Sequence, residues 1–383
     1  MKNNTRQFLD LTRYSRQLLL PEIGEPGQRR LQQARVLVVG AGGLGCAVLP
    51  YLAGAGVGTI GVVDGDVVSL SNLQRQVFFA ETDVGKPKAV ILAQRLRQLN
   101  SHIHVHVVAE YLTRENALQL FQQYDIIVDA TDNFPARYLI NDAAVLSGRP
   151  FVYGAIYRFE GQIAVFNIAT SPNEQAVNYR DLFPEPPPPH LVPSCAEGGV
   201  LGVLPGLVGT IQATEVIKWI VGQGKLLAGE MLLLDTLRWQ MERIRIPADP
   251  NNPISGKKPS IKQLQDYEWF CQQAVQTAPV PEITPQEFER WQRNNRSFFL
   301  LDVRQPFERE IVNIGGEHIP EGQLIKHLQR IPRDVPVVVY CRSGIRSARV
   351  TRQLLEQGWS EVYNLAGGIL AYIQEIHPDW PVY

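Results

Sequence analysis

The sequence predicts an α/β protein: a Rossmann-like doubly wound sheet over residues 1–248, a linker over 249–280 and a smaller α/β domain over 281–383. Three observations carry this expectation. Short β-branched runs alternate with helical patterns, as strands and helices do in a mostly parallel sheet. Gly40, Gly42 and Gly45 form G-x-G-x-x-G between the strand RVLVV and a helix, the context in which that pattern marks a nucleotide site. A proline-rich polar stretch then separates a second set of strands from the first.

Composition narrows the classes. At 383 residues the chain is long for one core, and two domains are expected. With 37 basic against 38 acidic residues the formal charge is -1, so no general field draws the chain to nucleic acid or an anionic membrane. Any anion it binds is held locally.

Taken in order, the opening MKNNTRQFLDLTRYSRQ is polar and lacks the apolar core of a signal peptide, which predicts a cytoplasmic protein. Residues 36–63 carry no charge and are long enough to raise the question of a membrane span. Their glycines and repeated β-branched runs predict strand, turn, helix and strand instead. RVLVVG, IGVVD, HVHVVAEY, YDIIVDATDN, PFVYGAIY and GQIAVFNI are the expected strands, the later ones as antiparallel additions. FPEPPPPHLVPSCAEGG, residues 183–199, is neither helix nor central strand, because consecutive prolines lack the backbone donor. It reads as a long surface loop, of the kind that often carries function. ADPNNPISGKKPS, a polar helix-like stretch and TAPVPEITPQEF read as the interdomain linker, and FFLLDVR, VPVVVYC and VYNL around the helix SARVTRQLLEQG form the second domain.

The glycine loop brings backbone close to a phosphate at a helix N-terminus, and Asp64, ending the strand TIGVVD, stands where an acid accepts ribose hydroxyls. The motif alone does not distinguish a dinucleotide from a triphosphate. Asn72 and Arg75 in SLSNLQRQ, Lys86 and Lys88 in VGKPKA, and Asp129 and Asp132 at the end of IIVDATDN do so. Several cations plus a strand-end carboxylate suit ATP with magnesium held at Asp132, where the cations stabilise charge on a leaving pyrophosphate. The structural alternative makes the cations solvated surface charges and Asp132 a helix cap.

These motifs, with RYSRQLLLPEIGEPGQRRL, VGKPKA, GQIAVF and SCAEGGVLGVLPGLVGTIQATEVIK, resemble the ATP-dependent adenylyltransferases that activate ubiquitin-like sulfur-carrier proteins, relatives of the ubiquitin-activating enzymes. The resemblance runs over residues 12–250. It implies a sheet of the ubiquitin-activating type, with Gly43 in the phosphate loop, Asp64 on ribose, Asn72, Arg75 and Lys88 on the phosphates and Asp132 on magnesium. Arg16 would reach the phosphates from a neighbouring subunit, which implies a homodimer. The partner would be a sulfur carrier ending in Gly-Gly, whose C-terminal carboxylate, with a pKa of about 3.5, is already ionised and needs no general base. Positioning and charge neutralisation suffice to make the acyl-adenylate.

The four cysteines, Cys46, Cys195, Cys271 and Cys341, include no C-x-x-C pair, which argues against a disulfide framework and a tetrahedral zinc site. By the resemblance, Cys195 lies on a crossover loop and bonds covalently to the carrier in some members. Many members also hold zinc with two C-x-x-C pairs. Here the matching places read AVNY, Ala176 to Tyr179, and NPIS, Asn252 to Ser255, so no zinc is expected.

VVVYCRSGIRSARV puts Cys341 at a strand end before a glycine-containing loop and a helix, where backbone N–H groups converge on sulfur and stabilise a thiolate or persulfide. With LLDVR and NLAGGILAY, residues 281–383 resemble rhodanese sulfurtransferases. The resemblance implies a persulfide on Cys341, cradled by the loop Arg342, Ser343, Gly344, Ile345 and Arg346, with Asp302 and Arg304 holding that loop in place. Phosphatases of similar geometry use C-x5-R, and Cys341 to Arg346 is one residue short, which favours sulfur transfer.

Together the halves imply adenylation of a carrier's C-terminal glycine and delivery of sulfur from Cys341 to give a thiocarboxylate, with reductive cleavage by Cys195 and with thiosulfate or a cysteine desulfurase as sulfur source. Molybdopterin biosynthesis is the expected pathway. Transfer RNA thiolation, thiamine or cysteine synthesis would use the same chemistry. The rivals are a nicotinamide oxidoreductase fused to a sulfurtransferase, a non-catalytic scaffold for a ubiquitin-like protein, and adenylation of RNA, which the absent basic surplus disfavours.

Overall fold

The structure is a computed structural model and describes residues 9–171, 174–186, 198–267 and 280–382. The chain divides into two compact units, Met1–Val275 and Gln276–Tyr383. Among the described residues no helix is long and apolar enough to cross a membrane.

The first unit opens with a short helix α1 (Ser15–Leu18) and α2 (Gly24–Gln33), followed by β1 (Arg35–Val39), α3 (Gly43–Ala55), β2 (Thr59–Val63), α4 (Lys88–Leu99), β3 (His104–Val108), α5 (Ala117–Phe121), β4 (Ile126–Asp129) and α6 (Phe134–Ser147). Next come β5 (Phe151–Tyr157), β6 (Glu160–Phe166), α7 (Tyr179–Leu182), α8 (Leu204–Val221), β7 (Glu230–Asp235) and β8 (Gln240–Arg245). The eight strands form one sheet in the order β3-β2-β1-β4-β5-β6-β7-β8. The first five run parallel and the last three add antiparallel, as expected for the later strands.

Both faces of the parallel part are covered, so its strands are apolar on both sides. Helices α3, α4 and α8 pack on one face around Val36, Val38, Ile60 and Val128. On the other, α5, α6 and α7 surround Leu37, Val39, Ile127 and Tyr138. Helices α3 and α8 approach closely because Gly209 has no side chain, and a Cβ there would stand 2.7 Å from the Ala47 methyl. Strand β1 has β2 on one side and β4 on the other, and the strand order reverses there, which opens a crevice at the carboxyl ends of these strands.

One segment behaves differently from its sequence reading. Residues 249–267, expected as linker, pack on the first unit. Ile254, Ile261 and Tyr267 are buried there, as is Asn252, whose Oδ1 accepts from the Ile254 and Ser255 amides. Isolated apolar residues in a polar, proline-containing stretch leave no periodic signal, yet each fills a gap on a surface formed elsewhere in the chain.

The second unit consists of β9 (Glu282–Ile283), α9 (Pro285–Arg293), β10 (Phe299–Asp302), α10 (Pro306–Ile311), β11 (Glu317–His318), β12 (Val337–Tyr340), α11 (Ile345–Glu356), β13 (Val362–Leu365) and α12 (Gly368–Ile376). Its five strands are all parallel, in the order β11-β10-β12-β13-β9. Val337, Val339 and Cys341 face one core while Val338 and Tyr340 face the other, the period-two alternation of a strand buried on both sides.

Candidate functional site

The crevice of the first unit holds a cavity of about 700 Å³. Val39, Val63 and Ala130 at the ends of β1, β2 and β4 form its floor. The glycine loop enters at one side. Gly40 has φ +102°, a backbone region that suits glycine, and a Cβ there would stand 2.5 Å from the Ala130 carbonyl. Gly42 and Gly43 line the cavity where α3 begins, so the first-turn amides of that helix have no intrahelical acceptors. Gly45 does not line the cavity. Its Cβ would lie 2.1 Å from the Gly40 oxygen, so this glycine permits the loop to close on the helix rather than touching a ligand.

Asp64 holds that loop from β2: its Oδ2 accepts the Ala41 amide at 2.7 Å and its Oδ1 the Asp66 amide at 2.7 Å. Burial raises its carboxyl above the ordinary aspartate value. Asn72 and Arg75 line the cavity from the turn after β2. The Asn72 Oδ1 accepts the Ser69 amide at 3.1 Å, and an Arg75 Nη1 donates to the Ser71 carbonyl at 3.1 Å. Lys88 also lines the cavity, but is buried and pairs with Asp66, Nζ to Oδ2 at 2.8 Å. Lys86 is exposed and lies off the lining.

Asp129 and Asp132 part company. Asp129 is fully buried beneath the cavity; its Oδ1 accepts from the Thr131 amide and hydroxyl, its Oδ2 has no hydrogen-bond partner among the described residues, and burial raises its carboxyl. Asp132 is exposed on the cavity wall. It does not cap α6, because Asn133 does: the Asn133 Oδ1 accepts the Ala136 amide at 3.0 Å. The capping alternative for Asp132 is therefore set aside.

Magnesium fits this arrangement. Among the described residues no three His, Cys, Asp or Glu side chains cluster as metal ligands. A hard cation held by one carboxylate, with phosphate oxygens and water completing its shell, requires only the free acid that Asp132 supplies.

Zinc does not fit. The two segments that the resemblance sets against cysteine pairs do meet, but through amides and a hydroxyl: the Asn178 Nδ2 donates to the Ser255 Oγ at 2.8 Å, and the Asn252 Nδ2 to the Asn178 Oδ1 at 3.3 Å. Neither group is a thiolate or imidazole.

Arg16 is exposed on α1 and lies off the cavity of its own chain. Cys195 falls outside the described residues. Several cavity residues were not singled out from the sequence, Gln76, Asp66, Tyr111 and Tyr267 among them. Gln76 is buried and its Oε1 has no hydrogen-bond partner among the described residues, Asp66 pairs Lys88, Tyr111 donates to the Asp66 Oδ1 at 2.6 Å, and Tyr267 arrives from the segment read as linker. Gln76 stands inside SLSNLQRQ, where its neighbours gave a signal; Tyr267 had none.

In the second unit Cys341 is buried at the end of β12. Its Sγ accepts from the Gly344 amide at 3.2 Å and the Ser347 hydroxyl at 3.3 Å, while α11 begins at Ile345. Gly344, with φ +88°, makes that return possible. The loop is fixed from behind, where the Ile369 and Leu370 amides donate to the Cys341 and Arg342 carbonyls. Arg342 and Ser343 are half-buried and Ile345 is exposed. Arg346 points its guanidinium at Glu308 on α10, donating at 2.7 and 2.6 Å, so it braces the loop rather than offering both nitrogens to a sulfur anion. Asp302 and Arg304 pair with each other, and Arg304 further donates to the Glu308 and Val312 carbonyls. They secure α10, and through Glu308 and Arg346 they hold the cysteine loop.

A model described as the ThiF family matches residues 14–254, and one described as the rhodanese-like domain matches residues 284–375. The chain is similar to the probable adenylyltransferase/sulfurtransferase MoeZ of Mycobacterium tuberculosis, 47% identical over 381 residues, 98% of this chain and 95% of the relative. It is similar to a sulfur carrier protein adenylyltransferase of Thermus thermophilus, 52% identical over 262 residues, 68% of this chain and 97% of the relative. The fold is similar to that in a crystal structure of E. coli MccB with MccA-N7isoASN, with TM-score 0.56, 21% identity, 65% of this chain and 76% of that one.

Proposed function

The chain belongs to the ThiF family and carries a rhodanese-like domain, and on that premise we propose that it adenylates the C-terminal glycine of a ubiquitin-like sulfur carrier and supplies the sulfur that replaces AMP. It is an adenylyltransferase with a sulfurtransferase domain. The observation that carries the finer reading is the exposed, uncapping Asp132 on the same cavity as the glycine loop, Arg75 and Lys88. A dinucleotide site has no use for that combination; a triphosphate does.

In this reading the amides at the start of α3, with Arg75, Asn72 and Lys88, align the triphosphate, and Asp64 takes the ribose. Asp132 would hold magnesium, which neutralises charge on the phosphate oxygens when bound. The carrier's carboxylate oxygen attacks the α-phosphorus, the bond to the bridging oxygen breaks, and pyrophosphate leaves. No proton moves. Arg16 of a second copy reaches the phosphates, so the active form is a homodimer.

The Cys341 persulfide, charged from thiosulfate or a cysteine desulfurase, then attacks the acyl carbon and AMP departs with the bonding pair. The Cys195 thiolate then attacks the Cys341 sulfur of the resulting acyl disulfide; the S–S bond breaks, the thiocarboxylate leaves with the bonding pair, and the Cys195–Cys341 disulfide that forms is reopened by a thiol reductant. The pathway is molybdopterin biosynthesis, in the cytoplasm; the adenylating domain, expected to end at residue 248, takes in the packed segment through Tyr267, and the sulfurtransferase domain begins at 281.

ATP–pyrophosphate exchange with and without a carrier ending in Gly-Gly tests the central step. Carrier-dependent exchange supports it; none with any of several carriers sinks it.

A further inference from the structure

One wall of the cavity belongs to neither matched region. Gln265, Asp266 and Tyr267 line it, yet they lie beyond residue 254, where the ThiF match ends, and before 284, where the rhodanese-like match begins.

Their placement is built in. Tyr267 is buried in the cluster of α5 and α6 with Tyr138 and Leu139, and Leu264 packs beside it. Its hydroxyl donates to the Asp142 Oδ2 at 2.8 Å, and burial with that neighbouring carboxylate raises the phenol, so it stays a donor. Asp142 is in turn gripped by buried Arg180, whose Nε and Nη2 donate to its two oxygens at 2.8 and 2.9 Å. On the rim, Asp266 acts electrostatically on Arg114, another lining residue.

The chemistry of the cavity is divided. Gly43 at the start of α3, with Arg75, Lys88 and Asp132, supplies amide and charge to the lining. Leu112, Leu139 and Tyr267 share a cluster on the other face of the sheet and supply an apolar end. A flat heterocycle needs such an end, with a few polar groups to orient it.

We propose that Gln265, Asp266 and Tyr267 form the base-binding wall of the nucleotide site, so that the segment leading into the second unit sets affinity for ATP and selection among bases. This rests on the nucleotide reading above. The triphosphate is held without this wall; the base is not.

The test uses the full chain with Gln265→Trp, which fills the apolar end, and Tyr267→Phe, which releases the anchor to Asp142. ATP binding is measured directly, and inorganic tripolyphosphate is titrated as a competitor. Gln265→Trp should weaken ATP about tenfold and Tyr267→Phe about threefold, with tripolyphosphate affinity within about twofold of wild type and the preference for ATP over GTP reduced. ATP affinity unchanged in both folded variants overturns the proposal alone. Equal loss of ATP and tripolyphosphate also overturns it, as general distortion of the cavity. Wild-type protein that binds neither ligand overturns the nucleotide reading and this proposal together.

Discussion

The Arg346 guanidinium and the Glu308 carboxylate form a two-pronged, largely buried pair, at 2.7 and 2.6 Å, directly behind the loop that carries Cys341. The loop's shape therefore depends on α10, a helix far from it in sequence.

Glu308→Gln should lower stability by about 3 kcal/mol, since removing one charge of a buried pair strands the other. Sulfur transfer from thiosulfate should fall at least tenfold, while ATP–pyrophosphate exchange persists. Burial alone would raise the Glu308 carboxyl, but hydrogen bonds from Arg346 and the Gln305 amide hold it below the ordinary glutamate value. A group held low contributes stability that is complete above the unfolded value of about 4.3 and fades as pH falls through the folded value. The melting midpoint should thus drop below about pH 4, and Glu308→Gln should flatten that drop. A variant with the wild-type acid profile would remove Glu308 as its source.

Adjacent residues separate function from stability. Asp132→Ala should abolish exchange and change stability by less than about 0.5 kcal/mol, because the residue is exposed and caps nothing. Asn133→Ala should cost about 1 kcal/mol through loss of the α6 cap while retaining exchange. The reverse pattern would reassign the two side chains.

Asp66 orients Lys88, and Tyr111 braces Asp66. Burial acts to raise the Asp66 carboxyl, and hydrogen bonds from Lys88 and Tyr111 outweigh it and hold the group low, so it stays ionised through the neutral range. Asp66→Asn should lower kcat/KM for ATP about tenfold, a loss of about 1.4 kcal/mol in transition-state binding. Unaltered kcat/KM would make the pair a surface detail.

Metal analysis should find no stoichiometric zinc, and chelation followed by fresh magnesium should leave the melting midpoint where it was. Asn252→Ala should lower stability by about 1–3 kcal/mol, since the Ile254 and Ser255 amides lose their acceptor. Tightly bound zinc in the purified chain would show that Asn178, Asn252 and Ser255 do not stand in its place.

Cys341→Ser should abolish sulfur transfer and spare exchange. Loss of both activities would mean that the two units do not act as separable catalysts.

Local patterns made much of this molecule readable. Gly40 and Asp64 stood out because a strand end, a positive φ and a helix start fall within a few residues of each other there. Cys341 did so for the same reason. Gly45 lies off the cavity lining, since motif spacing does not tell a lining glycine from one that admits a neighbouring backbone. Asp132 was ambiguous until Asn133 was seen to take the cap.

The sequence by itself determined the two α/β units, the strand-ending acids and the cysteine loop, because each is encoded within a few residues by periodicity, glycine and charge. Only the tertiary structure decided which side chains share a carboxylate: Lys88 with Asp66, Arg346 with Glu308, and Tyr267 and Arg180 with Asp142. Such partners lie up to 125 residues apart. Their pairing follows from how the elements stack and from the cost of burying a charge alone, and neither leaves a trace in local sequence.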